Sequence, residues 1–137
     1  MIGKNNPFNI RHNAGNHWLG QSVNLESHGF CNFDSLDFGI RAACMLIMRS
    51  YRKKGVLSVD EIIHRFAPPS ENRTDKYVQY VCNFMGVMPF SIPKPSEFVS
   101  LLLAMSRYEG NPLFPYQILS VIHKFGIKPY QIRRYGK

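Results

Sequence analysis

The amino-acid sequence predicts a mainly α-helical α+β domain with a small β subdomain near its start. Its 137 residues are 45% apolar and 19% charged, which suits one globular domain and excludes a disordered, collagen-like or coiled-coil chain. About the first thirty residues are rich in Asn, Gly and His between short apolar pieces, a pattern typical of strands and turns. Five later segments place apolar residues at helical spacing. We expect a single domain over residues 1–126 and a basic tail over residues 127–137.

The first two predicted helices have clear boundaries. The first follows an N-cap at Ser35 and ends at a basic stop over residues 52–54. It is apolar on nearly every side, so we expect it at the centre of the domain. The second opens with a capping box formed by Ser58 and Glu61 and stops at Pro68.

The three later helices carry apolar stripes. Either Asn72 or Thr74 is the predicted cap of the third helix, which ends at Gly86. The fourth runs from about Ser96 to residue 109, and the fifth begins at Pro115. The apolar stripe of the third helix is predicted to face inward and consists of Tyr77, Val78, Val81, Phe84 and Met85. The corresponding stripe of the fifth helix consists of Tyr116, Leu119, Ile122 and Phe125.

The charge of the chain is concentrated near its end. The formal net charge is +8, and no acidic residue follows Glu109, whereas five basic residues do. A basic, aromatic tail suggests an anionic partner such as a bacterial envelope polymer or a nucleic acid. A tail that only improves solubility is the alternative.

The cysteines and the N-terminus restrict the setting of the protein. Cys31, Cys44 and Cys82 lie in apolar runs without a second cysteine nearby, which indicates reduced, buried thiols. Metal-ligand spacings such as Cys-x-x-Cys are missing, so we expect neither a metal nor a cofactor. The N-terminus lacks an apolar signal core, and the longest apolar stretch, residues 42–48, is too short to span a bilayer. We therefore expect synthesis in a cytoplasm.

The end of the fourth helix offers a candidate catalytic acid. The predicted buried face of this helix consists of Phe98, Leu101, Leu102, Met105 and Tyr108. Glu109 comes four residues after Met105, so it points along the same apolar face. Burial and the negative end of the helix dipole both raise a carboxyl pKa, which a general acid near neutral pH requires. An exposed Glu at a frayed helix end is the alternative.

Two parts of the chain resemble cell-wall hydrolases. Residues 94–112 resemble the catalytic helix of the lysozyme-like superfamily, an apolar helix that ends in Glu followed by a small residue. The glucosaminidase family has the pattern Asn-Asn-Leu-Phe-Gly-Ile-Lys, then a Trp-containing hairpin, then Phe-Arg-x-Tyr-x-Ser before a helix. This chain is similar to it at residues 5–11 (Asn-Asn-Pro-Phe-Asn-Ile-Arg), 18–20, 29–35 and 39–42. Short phage muralytic proteins that open with Asn-Asn-Pro-Gly-Asn-Ile-Arg are still more similar, and residues 67–77 also resemble that group.

This resemblance implies a lysozyme-like fold and a peptidoglycan glycosidase that uses Glu109 as its general acid. In the family the Glu-bearing helix precedes the Asn-Asn segment, whereas here it follows Asn5, so the order looks circularly permuted. The helix from Pro115 would then connect the two parts, and the chain ends should meet in space. The resemblance further implies a phage endolysin or virion component, made in the host bacterial cytoplasm without a signal peptide. We expect a monomer that acts on the peptidoglycan glycan strands of the cell wall.

Glycosidic bond cleavage also needs a group that meets the developing positive charge. Glu26 on the predicted hairpin is the candidate second carboxylate and Asp34 is the reserve, although a solvated turn and a helix cap explain them as well. If neither faces Glu109, a lytic transglycosylase with one acid is the better mechanism; otherwise a muramidase or a glucosaminidase remains open. The candidate substrate-binding residues are Trp18, Tyr77 and Tyr108 for stacking on sugar rings, and Asn6 and Gln21 for hydrogen bonds.

Three other functions compete with the glycosidase. A peptidase with Cys31 as nucleophile and His28 as base is disfavoured, because Cys31 is predicted to lie in a strand and not at a helix N-terminus. A nucleic-acid or envelope-binding module would use the basic, aromatic tail, although nucleic acid is the less favoured partner. A virion structural protein would keep the lysozyme-like shape without catalysis.

Overall fold

The computed structural model describes the backbone of residues 1–70 and 73–132, and the side chains of this range except those of residues 23–27. A mainly α-helical domain with a small β subdomain is confirmed. In chain order the elements are β1 (Gln21–Ser27), β2 (Phe30–Phe33), α1 (Leu36–Cys44), a π-helix (Met45–Tyr51), α2 (Val59–Phe66), α3 (Thr74–Met85), a 3₁₀ turn (Pro95–Glu97), α4 (Phe98–Tyr108) and α5 (Pro115–Lys124).

The two strands form an antiparallel hairpin. Its turn has a positive φ at both His28 (51°) and Gly29 (87°), the geometry that matches the twist of paired strands. Cys31 lies in β2, as predicted, and its thiol is free and buried, like those of the other two cysteines. A bridge between Arg11 and Phe30 adds the N-terminal segment to β2.

The helices enclose one apolar core. Helix α4 packs against α3 and α5, while α5 also packs against α1, and α2 packs against α3. The first helix packs against α5 and β2 and is buried on one side, and the π-helix continues this buried side to Tyr51. The residues of α4 that are buried as predicted are Phe98, Leu101, Leu102 and Met105.

Some helix boundaries differ from the prediction. The capping box of Ser58 and Glu61 is present, with both reciprocal hydrogen bonds. Helix α3, however, begins at Thr74 without a side-chain cap, because the Thr74 hydroxyl donates to the carbonyl of Ala67. The alternative cap, Asn72, lies outside the described residues.

Four predicted core positions are wrong, one of which is Tyr108 at the end of α4, with 38% of its surface exposed. Tyr116 (68% exposed) and Leu119 (52% exposed) lie on the outer side of α5, which buries Ile118 and Val121 instead. The reason is that α5 carries two overlapping apolar stripes, and only one can face α1 and α4. In α3, Phe84 is 43% exposed, and the Arg107 guanidinium lies 5.9 Å from its ring centre.

Residues 127–132, which begin the predicted tail, pack against the helical part. Ile127 is buried, and the Tyr130 amide donates to the carbonyl of Met48 at 2.7 Å. Arg52 donates from Nε to the Tyr130 carbonyl at 2.8 Å. Residues 133–137 lie outside the described part of the chain. Among the helices of the described residues, none has the length and apolar character that crossing a membrane requires.

Candidate active site

A groove of about 770 Å³ crosses one side of the molecule. One of its walls is the N-terminal segment from Asn9 to Trp18, together with Phe30 of β2. The π-helix and the C-terminal end of α2 supply a second group of lining residues, among them Tyr51 and Arg65. Glu109 lines the same groove, at the end of α4. The groove therefore brings residues of the N-terminal segment, the hairpin and three helices to one carboxyl group.

Asn6 holds the N-terminal segment in place. Its side chain is fully buried and closes a local loop, because Oδ1 accepts from the Ile10 amide and Nδ2 donates to the Ile10 carbonyl, both at 2.9 Å. Nδ2 also donates to the Cys31 carbonyl at 3.0 Å, which fixes the loop on the hairpin. Gly39 of α1 allows this packing, since a Cβ there would overlap the backbone oxygen of Asn5. Asn6 thus supports the groove wall from inside and does not reach a ligand.

Asn9 connects this wall to the candidate acid. Its Nδ2 donates to Glu109 Oε1 at 2.9 Å and to the Glu109 carbonyl at 3.3 Å. The backbone of Asn9 is left-handed (φ 51°), a conformation that asparagine tolerates better than most residues. Asn111 adds a second tie, because its Nδ2 donates to the Pro7 carbonyl at 3.1 Å. The carboxyl group is therefore held in one position by a segment 100 residues away.

Burial raises the pKa of Glu109. Three neighbours oppose part of this effect: the Asn9 amide and the Tyr77 hydroxyl, which favour the carboxylate, and the positive charge of Arg11. A carboxyl with a raised pKa beside an open groove can donate a proton at a pH where an exposed Glu is already ionised.

Tyr77 lies beneath the same carboxyl group. Its ring is buried and stacks on that of Tyr108, with 4.0 Å between ring centres. Burial and the nearby Glu109 carboxylate raise the pKa of Tyr77 well above its ordinary value. The Tyr77 hydroxyl is buried and meets full hydrogen-bond geometry with none of the described residues. It stays protonated and faces Glu109 as a neutral dipole.

Glu109→Gln is expected to raise the melting temperature at pH 7 and to leave it nearly unchanged at about pH 3.5. Because the folded-state pKa of Glu109 is raised, its protonation stabilises the fold below the ordinary Glu pKa. That stabilisation is lost as the pH rises through the raised value, whereas glutamine has no charge to bury. Thermal unfolding of both proteins at the two pH values measures this. A variant that melts below the wild type at pH 7 contradicts the burial argument.

The other residues proposed for sugar binding fall into two groups. Trp18 is half-buried and lines the groove. Gln21 is buried, and its Oε1 accepts from the Trp18 backbone amide at 3.0 Å, so it holds the backbone of the tryptophan in place. Tyr77 and Tyr108 are absent from the groove lining, and Tyr108 is 38% exposed on the far side of the stack, next to Tyr80.

The candidates for a second carboxylate are not brought to Glu109 by any described contact. Glu26 lies in β1 opposite Cys31, and its side chain is outside the described part. Asp34 accepts from the Ser22 hydroxyl at 2.8 Å and does not line the groove. Among the side chains that the structure describes, Glu109 is thus the only carboxylate in the groove lining. The same part of the chain contains no group of three His, Cys, Asp or Glu side chains able to hold a metal ion.

The structure adds Asn9, Tyr51 and Arg65 to the candidate site. Asn9 stands in the motif that carries the family resemblance, at the place where the glucosaminidase pattern has Gly, so this departure was its visible signal. Tyr51 and Arg65 gave no signal, because both lie near the ends of ordinary-looking helices. Cys31 is buried, and burial raises its pKa, the opposite of what a nucleophilic thiol needs.

Comparison with known proteins gives one relevant similarity. No family model matches the chain. Protein P5 of the Pseudoalteromonas phage PM2 is 34% identical over 88 residues, which cover 63% of this chain and 55% of that protein. The chain therefore spans about half the length of this phage relative.

Proposed function

We propose that the protein is a peptidoglycan glycosidase with Glu109 as its general acid. The observation that carries the proposal is a half-buried carboxyl group with a raised pKa, held by Asn9 at the lining of an open groove. Trp18, at the end of the N-terminal wall, offers an aromatic surface on which a sugar ring stacks. The phage relative supports a phage origin. The proposal then places synthesis in the host cytoplasm and action at the cell wall.

The arrangement favours a lytic transglycosylase mechanism. Glu109 donates its proton to the glycosidic oxygen, so the bond to the anomeric carbon breaks and the leaving sugar departs as an alcohol. The substrate's own acetamido oxygen meets the positive charge at that carbon, since Glu109 is the only described carboxylate in the groove. Ionised Glu109 then takes the proton of the C6 hydroxyl, whose oxygen closes the 1,6-anhydro ring as the acetamido group leaves. The acid is thereby restored.

Asn9 and Tyr77 suit both halves of this cycle. The first step needs Glu109 protonated, which burial favours, whereas the second needs the carboxylate, which the Asn9 amide and the Tyr77 hydroxyl favour. Because its surroundings favour the protonated form through burial and the ionised form through hydrogen bonds, one group can serve as acid and then as base.

We also propose a circularly permuted lysozyme-like fold. The contacts between the Asn-Asn segment and the end of α4 support it, because Asn9 and Asn111 join these two regions although the segment comes first in the chain. Helix α5 packs between α4 and α1, which suits a connecting role. The hairpin residue Phe30 lines the groove, as expected for a β subdomain that forms one wall.

The test is the chemical end of the products. Purified protein is incubated with insoluble peptidoglycan, and the released muropeptides are analysed by mass spectrometry with and without borohydride reduction. We expect 1,6-anhydro ends, which are one water lighter than reducing ends and resist reduction. Reducing ends would instead indicate a hydrolase with a second carboxylate, for which Glu26 is the first candidate. Absence of released muropeptides contradicts the proposed function.

A further inference from the structure

The groove contains a positively charged side chain, Arg65, that has no part in the proposed proton transfer by Glu109. Arg65 lies in the last turn of α2, is exposed and lines the groove. It makes no ion pair with any described residue. When Glu109 is protonated, the described lining contains cationic side chains and no anionic one. Such a groove attracts an anionic ligand.

Arg65 shares the groove lining with a second hydrogen-bond donor. Tyr51, the last residue of the π-helix, lines the groove, and the Arg65 guanidinium is close enough for its charge to lower the pKa of the Tyr51 phenol, against the effect of burial. Burial still raises that pKa to about 12, so the phenol keeps its proton. A guanidinium and a neutral hydroxyl in one groove offer several hydrogen-bond donors and no negative charge. This is the combination that binds a carboxylate.

This pair is separate from the surroundings of the acid. Arg11, the other arginine of the lining, has its guanidinium 4.7 Å from the Phe30 ring centre and acts electrostatically on Glu109. Tyr51 instead acts on Tyr77, which in turn faces Glu109. Neither Arg65 nor Tyr51 is among the groups that shift the pKa of Glu109, although all three side chains line the same groove.

We propose that Arg65 and Tyr51 form a carboxylate-binding subsite for a substituent of the glycan. The subsite rests on the proposed function and narrows it, because it selects a glycan that carries carboxylates over a neutral one. In peptidoglycan the carboxylate is either the lactyl group of the sugar or part of the attached peptide. The shared chemistry is a carboxylate on a side branch next to the ring that Glu109 attacks.

The experiment measures binding to the Glu109→Gln variant, which does not consume its ligand. The readout is the fluorescence of Trp18, the single tryptophan of the chain and a residue of the groove. Three probes of matched length are compared: neutral N-acetylglucosamine oligomers, peptide-free glycan strands with free lactyl carboxylates, and strands that keep their peptides.

We expect carboxylated strands to bind about ten-fold more tightly than the neutral oligomer, the value of one hydrogen bond to a charged group. Addition of Arg65→Gln removes this advantage, and Arg65→Lys retains part of it. The matched control is Arg107→Gln, because Arg107 is exposed on α4 and does not line the groove. Thermal melts verify that all variants fold. If peptide-free strands already bind more tightly than the neutral oligomer, the subsite binds the lactyl carboxylate. If only peptide-bearing strands bind more tightly, it binds a carboxylate of the peptide.

Two results overturn the subsite. Equal affinity for neutral and carboxylated glycans leaves the glycosidase standing and rejects the subsite alone. Equal effects of Arg65→Gln and Arg107→Gln also reject it, since the charge would then act from anywhere on the surface. If none of the probes binds, the proposed function fails together with the subsite.

Discussion

Glu109→Gln is expected to reduce the rate of peptidoglycan cleavage about a thousand-fold, within the range that general acid catalysis supplies. Glutamine has nearly the same shape, and its amide oxygen still accepts the hydrogen bond that Asn9 now donates to Glu109 Oε1. It has no acidic proton to give to the leaving oxygen and no carboxylate to take one back. The measurement is the initial rate of muropeptide release, supported by clearing of a gel that contains peptidoglycan.

The control for this variant is Asp75→Asn. Asp75 is exposed in the first turn of α3 and does not line the groove, so the same chemical change there should leave the rate unchanged. Because burial of Glu109 opposes ionisation in the folded state, the glutamine variant is expected to fold at least as stably at neutral pH. Equal clearing by wild type and Glu109→Gln would remove Glu109 from its role.

Asn9→Asp is expected to lower cleavage at the pH optimum by about ten-fold to a hundred-fold, because the carboxyl of Glu109 loses its anchor. The new carboxylate would stand where the amide now donates at 2.9 Å, so two like charges oppose ionisation of Glu109. The pKa of Glu109 then rises further, and the fall of activity on the alkaline side moves to higher pH. The pH dependence of kcat/KM measures this shift.

Asn9→Gly removes the side-chain amide without changing the backbone conformation, so it tests the hydrogen bond alone. Glycine adopts the left-handed conformation of Asn9 (φ 51°) without strain, so only the hydrogen bond is removed. We expect the alkaline limb to move in the same direction as in Asn9→Asp, by a smaller amount. Asn5→Gly is the matched control, since Asn5 is also left-handed (φ 56°) but donates to the Phe33 carbonyl, away from the groove. An unaltered pH profile in both Asn9 variants would show that the contact does not tune the acid.

Local signals predicted much of this arrangement. The helix starts and stops follow from short-range chemistry, such as the capping box at Ser58, and the buried face of α4 follows from its spacing. The position of Glu109 along that face was therefore available from the sequence, and in the structure Glu109 is half-buried and has a raised pKa.

Tertiary contacts account for what the sequence did not show. The choice between the two stripes of α5 depends on which side of that helix meets α1, information that no single segment contains. The hydrogen bond from Asn9 to Glu109 joins residues 100 positions apart, so no local pattern reveals it. Asn6 and Gln21 are polar residues in a turn-rich region, where exposure is the usual expectation, yet the folded loop buries both.

The π-helix from Met45 to Tyr51 gives the groove an unusual dependence on chain length. A turn of π-helix holds about one residue more than a turn of α-helix, and single π-helical turns are often found at functional sites. In an ordinary α-helix each residue rotates about 100° around the axis, so loss of one residue here would swing every later side chain of the segment by roughly that angle. Tyr51 would then leave its position in the lining. Homologues that lack one residue of this π-helix would have a similar composition and yet present a different groove surface to their ligand.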